Sequence, residues 1–335
     1  MKKVFTIAEV GQAHDGSLGI LHSYIDSVSK TGVDAIKFQT HIAEAESSVF
    51  EPFRVNFSYE DKNRFDYWKR MEFTLDQWIG IKAHCDDVGL EFMSSPFSIA
   101  AVDLLEKVGV KRYKIGSGEV NNLLLLERVV QTKKPIIISS GMSSFQELDN
   151  TVGWLKKQGA HFSIMQATTA YPTSPEQYGL NVISELQKRY QVPIGYSDHS
   201  SDIGTCIAAT ALGAEILEFH VVFDKNLFGP DSKSSLTIPE IKSLVTSVKK
   251  VRKALNHPVD KSDNTAFFDL KKMFEKSLAV NKDLEEGHMI KFEDLETKKP
   301  KGYGVDASKF MQVIGMKVNR EMKQWDFLNE SDLDK

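Results

Sequence analysis

Short apolar runs recur along the chain, and the stretches between them carry helical spacing. The runs are VFTIAEV (residues 4–10), AIKFQTH (35–41), LEFMSSPF (90–97), RYKIGSGE (112–119), PIIISSGM (135–142), FSIMQATTAYP (162–172), PIGYSDHS (193–200) and ILEFHVVFD (216–224). Continuous runs of this kind read as parallel strands buried on both faces. Between the first two, Leu21, Tyr24, Ile25 and Val28 recur with a period near 3.6, so a helix is predicted over 18–31, stopped by Gly32. Residues 42–73 form a polar and aromatic excursion, predicted irregular, of the sort that covers a site. Thr74 predicts an N-cap before Trp78, Ile79, Ile81 and Cys85, and Gly89 ends that helix. Further helices are expected near 99–108, 121–131, 145–159, 182–190, 203–214 and 239–254, the last with Pro239 at its first position. Eight strands alternating with helices fit a (β/α)8 TIM barrel. A doubly wound open sheet is the runner-up, weakened because no GxGxxG follows the first strand.

The pattern changes near residue 257. HPVDKSDNT (257–265) is polar and reads as a linker. From residue 276 the chain has its own apolar positions, Leu278, Val280, Ile290, Leu295, Val305, Ile314 and Val318. These predict a small β-rich domain, one of a size that is marginal alone. The expected organisation is a barrel over 1–256, a linker over 257–275 and a C-terminal domain over 276–335.

Composition narrows the classes. A formal net charge of -4 argues against a nucleic-acid surface and a polybasic membrane anchor. No apolar run approaches a membrane span. Met1-Lys2-Lys3 leads directly into a strand, without a signal peptide, so a cytoplasmic protein is expected. Cys85 and Cys206 are far apart in helical segments and read as reduced thiols.

Polar residues gather at the C-terminal ends of the predicted strands: Glu9, Lys37 and Gln39, Ser94 and Ser95, Lys114, Ser117 and Glu119, Ser139 and Ser140, Tyr171, Ser197 and His199, and His220. In a barrel those ends form the face that carries active sites. Buried polar groups cost free energy unless they are partnered, so their recurrence in most of the runs points to a site. His199 and His220 end consecutive strands joined by a helix, hence parallel neighbours. Two such imidazoles can share a divalent ion and leave room for water and substrate. A histidine at a strand end is also commonly a hydrogen-bonded structural residue.

Taken together, IAEVGQAHDGSLG, KFQT, MEFT, SSPF, KIGSGE, SSGM, TTAYP, GYSDHS, GPD and SLAV…DLEEGHMI resemble the sialic acid synthase family over nearly the whole chain. Members condense phosphoenolpyruvate with an N-acylmannosamine-type sugar to give nine-carbon 3-deoxy-2-keto (nonulosonic) acids. The resemblance implies a (β/α)8 barrel followed by an antifreeze-like (SAF, β-clip) domain. It implies a homodimer in which that domain caps the neighbour's barrel. It implies a divalent metal held by His199 and His220, manganese in the usual case, with magnesium or cobalt as alternatives. Lys37, Ser94, Lys114, Ser117, Ser139 and Ser197 would hold phosphoenolpyruvate. Glu9, Gln39, Thr169, Tyr171, Asp231 and Lys299 would hold the sugar, and Glu119, with Lys37 and Lys114, would act at the reacting carbons.

The residues suit that chemistry. A phosphate and a carboxylate need fixed positive charge and hydroxyls. A carboxylate such as Glu119 suits the activation of water at a cationic carbon. Each residue also has an ordinary structural explanation: Lys37 or Lys114 as a surface or salt-bridge lysine, Glu9 paired with one of them, Asp231 as a turn residue, Tyr171 as packing, and His14 and His41 as structural residues or supports near the mouth. The chain departs from the family pattern at Ala13, where an asparagine is usual, at Thr169, and at Lys299, where an arginine precedes the proline. Lysine lacks the planar two-point geometry of arginine, which leaves the sugar's acyl pattern open, with phosphorylated, deaminated or 2,4-diacetamido-trideoxy sugars as alternatives. Competing classes are a Schiff-base pyruvate aldolase using Lys37 or Lys114, and a non-catalytic sugar-binding protein.

Overall fold

The computed structural model describes residues 3–53 and 57–334. Met1, Lys2, residues 54–56 of the excursion and Lys335 lie outside them. The chain forms two compact units, Met1–His257 and Pro258–Lys335.

In the first unit, eight parallel strands alternate with helices. They are β1 (Phe5–Gly11), β2 (Ala35–Thr40), β3 (Glu91–Pro96), β4 (Tyr113–Ile115), β5 (Ile136–Ser139), β6 (Phe162–Ala167), β7 (Ile194–Asp198) and β8 (Ile216–Val222). Their hydrogen-bonded order is β3-β2-β1-β8-β7-β6-β5-β4, so β3 and β4 flank the closure of a nearly closed barrel. A short β9 (Leu236–Thr237) adds to β8.

The first strand leads to α1 (Leu18–Ser29). The excursion after β2 is not irregular throughout. It carries α2 (Ala43–Glu46) and α3 (Arg64–Met71). The Asn63 side chain caps α3, and Tyr67, Trp68 and Met71 bury one face of it, an i, i+4 signature within the aromatic stretch. Next come α4 (Leu75–Asp87), α5 (Ile99–Val108), α6 (Leu123–Gln131), α7 (Phe145–Lys157), α8 (Leu180–Tyr190), α9 (Ile203–Ala211) and α10 (Ile238–Leu255). Thr74 caps α4 in a reciprocal capping box with Gln77, as its position predicts. α10 begins one residue earlier than expected, because Thr237 and Glu240 form another such box and Pro239 falls just inside. The strands are shorter than the apolar runs. RYKIGSGE in particular leaves the sheet at Ile115, and Ser117–Glu119 form a 3-10 turn.

Strand alternation sorts the side chains into two sets. One set, including Ile36, Phe38, Phe92, Tyr113, Ile138, Leu217 and Phe219, packs outward against the helices. The other points inward, where Ile7, Ala35, Met93, Ile137, Met165 and Ile216 form an apolar layer across the barrel. Gly195 belongs to this layer for a steric reason: a Cβ there would stand 2.8 Å from the Ile216 carbonyl oxygen and 3.0 Å from Met165 Cγ.

In the second unit, the stretch expected as linker includes a short helix, α11 (Phe268–Phe274). β10 (Ser277–Val280) pairs antiparallel with β11 (Leu295–Lys298), and β12 (Lys317–Val318) with β13 (Leu333–Asp334). Leu278, Val280, Leu284, Ile290, Val305, Val313, Val318, Met322 and Leu328 make its core. Asp294, fully buried, accepts from Lys291 N at 2.9 Å and pairs with His288 at 2.7 Å and Lys282 at 2.6 Å.

Candidate active site

One pleat beyond the apolar layer, towards the strand C-termini, the inward positions turn polar. Two steps from Ile7, Ala35, Met93, Ile137 and Ile216 come Glu9, Lys37, Ser95, Ser139 and Glu218, joined by Lys114 from β4. All six are buried. Lys37 pairs with Glu9 and lies 3.8 Å from Glu218. Lys114 lies 3.1 Å from the other oxygen of Glu218. Lys37 donates to Ser95 Oγ at 3.2 Å, Lys114 donates to Ser139 Oγ at 3.3 Å, and Ser197 Oγ donates to Glu218 at 3.3 Å.

This floor carries two cations and two anions out of water. Burial pushes the Lys37 ammonium down, but Glu218 and Glu9 outweigh it and its pKa ends above the ordinary value. For Lys114 burial wins, with Lys37 adding to it and Glu218 opposing, and its pKa ends below. Burial works against the Glu218 carboxylate, yet Lys114 and Lys37 hold it down at about 2.

Above the floor opens a cavity of about 440 Å³ lined by the strand ends and by the excursion. Gln39 donates to Glu9 at 3.0 Å and accepts from Gln12, and His41 Nε2 meets Gln39 Oε1 at 3.1 Å. His41 is stacked between Trp68 and Phe97, at ring separations of 3.9 and 4.6 Å, and its Nδ1 is 2.6 Å from Glu46. Glu119 stands on the wall, accepting from Asn122 at 2.7 Å. Burial pushes its carboxyl above the usual range, with the Asn122 bond opposing and the charge of Glu46 adding to the rise.

His199 and His220 face each other with ring centroids 5.4 Å apart. His199 Nδ1 lies 3.0 Å from the Thr168 carbonyl oxygen, so that nitrogen carries the proton and Nε2 keeps its lone pair. Burial, then the charge of His220, pushes His199 down to about 3, so it is the neutral imidazole that a metal requires. Among the described residues no group of three or more His, Cys, Asp or Glu surrounds one metal position. The two imidazoles are thus neighbours, with the Nε2 lone pair of His199 not used by the Thr168 bond.

A model of the NeuB family matches residues 24–260. The chain belongs to the NeuB family. Over 98% of its length it is 33% identical to the N-acetylneuraminate-9-phosphate synthase of Homo sapiens, covering 92% of that protein. It is 30% identical to the N,N'-diacetyllegionaminic acid synthase of Campylobacter jejuni subsp. jejuni serotype O:2, over 98% of this chain and 100% of that protein. Among solved structures, the sialic acid synthetase of Leptospira borgpetersenii serovar Hardjo-bovis, in complex with citrate, superposes with a TM-score of 0.71 at 30% identity, covering 80% of this chain and 90% of that one. The NeuB family is one of synthases, and this chain is an enzyme of that type.

The residues that the NeuB resemblance points to in the first unit mostly converge. Lys37, Lys114, Ser139, Ser197 and Glu9 share the floor, and Gln39, Ser117, Glu119, Thr169, Tyr171, Asp231 and His220 line the cavity. Tyr171 lies against His199, ring to ring at 4.4 Å. Ser117 Oγ accepts from Gly141 N at 3.2 Å. Gly141 is bare for a reason, since a Cβ there would stand 2.6 Å from Ser117 Oγ and 2.7 Å from Thr169 Oγ1. Ser94 is a correction. Its hydroxyl is on the outward face, 2.7 Å from Thr40 Oγ1 and 3.2 Å from the Phe38 carbonyl oxygen, and the alternation gives the inward place to Ser95. Lys299 belongs to the second unit, where its Nζ lies 5.0 Å from the centre of the Phe274 ring.

Three residues had no role from sequence. Glu218 was legible, because it stands two residues before His220 on the same strand face. Glu51 and Arg64 were not, because they lie in the excursion and meet only in three dimensions, 3.0 Å apart. His14 is structural, accepting from Gly16 N at 3.1 Å and packing on Phe73, with burial pushing its pKa down to about 3.

Proposed function

We propose that this enzyme condenses phosphoenolpyruvate with an N-acylmannosamine-type aldose, giving a nine-carbon 3-deoxy-2-keto acid and inorganic phosphate. The observation that carries the proposal is the pair of buried lysines, Lys37 and Lys114, with the hydroxyls of Ser95, Ser139 and Ser197 at one barrel mouth beside two facing imidazoles. A structural ion-pair core needs no hydroxyls or imidazoles around it, whereas a phosphate and a carboxylate require both cations and donors. The names of the relatives support the same class, since they are synthases of nonulosonic acids.

The lysines neutralise the phosphate and carboxylate and fix the enol. Gln39, Glu9, Tyr171, Thr169 and Asp231 orient the open-chain sugar so that its aldehyde carbon faces C3 of the enol. The new C–C bond forms there, and the positive centre left at C2 is captured by water. In this reading Glu119, its carboxyl pushed up by burial, takes a proton from that water. Phosphate then leaves by C–O cleavage. His199 and His220 would hold a divalent ion, manganese in our reading, which when bound would supply Lewis-acid polarisation of the aldehyde carbonyl. The second unit is in this reading an antifreeze-like domain that caps the barrel of a second copy in a homodimer, with Lys299 directed at the sugar's N-acyl group, and the enzyme works in the cytoplasm.

Phosphate release from phosphoenolpyruvate tests the proposal, assayed with manganese against N-acetylmannosamine, its 6-phosphate, mannose and a 2,4-diacetamido-2,4,6-trideoxyhexose. Release is expected only when an aldose is present, to stop on chelation and to return with the metal. Activity that survives chelation, or a lysine adduct trapped by borohydride with free pyruvate, would sink it.

A further inference from the structure

Resting on that function, the walls of the cavity say which aldose it takes. The reacting aldehyde must lie at the floor, near the lysines and His220. The excursion lines the same cavity as His220, so its wall is what the far end of an open-chain hexose would meet. That wall is aromatic, from Phe53, Phe57, Tyr67 and Trp68. Set into it is the ion pair of Glu51 and Arg64. One oxygen of Glu51 is 3.0 Å from Arg64 Nε, and the other accepts from Trp68 Nε1 at 3.0 Å and from Ser47 Oγ. The Arg64 guanidinium lies over the Trp68 ring, 4.8 Å from its centre, so the carboxylate is held by a stacked and ion-paired support.

The charges at this wall are set before any sugar arrives. Among the described lining side chains Glu46, Glu51 and Glu119 bring carboxylates, and Arg64, already paired with Glu51, is the permanent cation. An aromatic surround strengthens each of these interactions relative to water. A hydroxyl or amide N–H at the sugar's far end would donate to Glu51. A phosphate there would meet a fixed carboxylate and would have to compete with it for Arg64.

We propose that the enzyme takes an unphosphorylated aldose, whose far end bears hydroxyl, methyl or acylamino groups, and that Glu51, positioned by Arg64 and Trp68, is the residue that discriminates against a phosphate. An acylamino or deoxy carbon matches the aromatic wall, and a donor N–H or O–H matches the carboxylate. Among the described lining residues neither match exists for a dianion.

The test measures kcat/KM for N-acetylmannosamine, N-acetylmannosamine 6-phosphate and the 2,4-diacetamido-2,4,6-trideoxyhexose in the wild-type enzyme and in Glu51→Gln. The wild type is expected to favour an uncharged sugar over the 6-phosphate by at least about tenfold. Glu51→Gln, which keeps a side chain able to accept from Trp68, is expected to narrow that ratio several-fold through KM for the phosphorylated sugar. Arg64→Gln, which frees the carboxylate from its partner, should widen it. Preference of the wild type for the 6-phosphate, or a ratio unmoved in both variants, would overturn the inference while leaving the condensation standing. Absence of condensation with every sugar would remove the function and this inference together.

Discussion

Inside the barrel, Ile7, Ala35, Met93, Ile137, Met165 and Ile216 form one layer, and Glu9, Lys37, Lys114 and Glu218 stand one pleat above it on the same sheet. The lower layer removes apolar surface from water and stabilises the fold through that burial. The upper layer puts four charges where water is excluded. Burying ions is costly, and a buried ion pair is often no more stable than an apolar replacement of the same volume. The proposed function accounts for the upper layer, because a cluster that is to bind a charged substrate must keep its cations desolvated and fixed before the substrate arrives. The same scaffold and strand register thus separate stability from function over one step of the pleat.

The sharpest way to break this comparison is at Lys114. Lys114→Met leaves Glu218 facing Lys37 alone, at 3.8 Å. Condensation is expected to fall by about 10³-fold or more in kcat/KM. Stability is expected to fall by about 3–5 kcal/mol, because one partner of a buried pair has been removed. Adding Glu218→Leu should return most of that stability while activity stays lost. Urea denaturation and phosphate release, measured on both variants, check the two halves. If the double variant were no more stable than the single one, the upper layer would have a structural role that the comparison denies it.

The lower layer gives the opposite result. Ile137 is buried among Met93, Met165 and Ile216. Ile137→Ala should cost about 2–5 kcal/mol in unfolding free energy. The folded enzyme at low temperature should keep kcat/KM within a few-fold, since no charge or donor has moved. A loss of activity on the scale of Lys114→Met would show that the two layers are not separable.

These two layers also differ in how readable they were. The apolar runs revealed eight strands because burial on both faces leaves a continuous signal, and the polar strand ends pointed to the barrel face where the cavity opens. Alternation was the weaker signal where a run held two like residues. Ser94 and Ser95 are chemically equal in sequence, and only the register of β3 against β2, with Phe38 opposite Ser94 and Gln39 opposite Ser95, decides which one faces in. Glu119 was read as a strand-end residue, yet it stands on a 3-10 turn, because a strand of three residues ends before it. The excursion was the least legible part. Arg64 and Glu51 are separated by a stretch without a regular pattern, and their pairing depends on a fold that no local period announces.

Glu119 tests whether the wall above the floor belongs to the reaction. Its carboxyl is raised by burial, and a raised carboxyl takes up its proton at a higher pH than an ordinary one. If it accepts a proton from water, activity should fall as pH falls through that raised value, so the acid limb of kcat against pH should lie above the usual carboxylate range. Glu119→Gln should lower kcat by about 10²-fold and remove that limb. A limb that persists unchanged in Glu119→Gln would assign it to another group.

The smallest effect is expected at the serine pair, and it bears most directly on the register. Ser95 accepts from Lys37 at 3.2 Å on the inner face, whereas Ser94 is engaged with Thr40 and the Phe38 carbonyl on the outer one. Ser95→Ala should raise KM for phosphoenolpyruvate by about tenfold, close to 1.4 kcal/mol, with stability almost unchanged. Ser94→Ala should leave KM within about twofold and instead lower stability by about 1 kcal/mol, because Thr40 loses its buried partner. The two substitutions delete the same hydroxyl from adjacent residues, so opposite outcomes in KM and in denaturation can come only from the side of the sheet each one faces. Reversal of the two outcomes would mean that β3 is shifted by one residue, and Met93 would then have to leave the apolar layer as well.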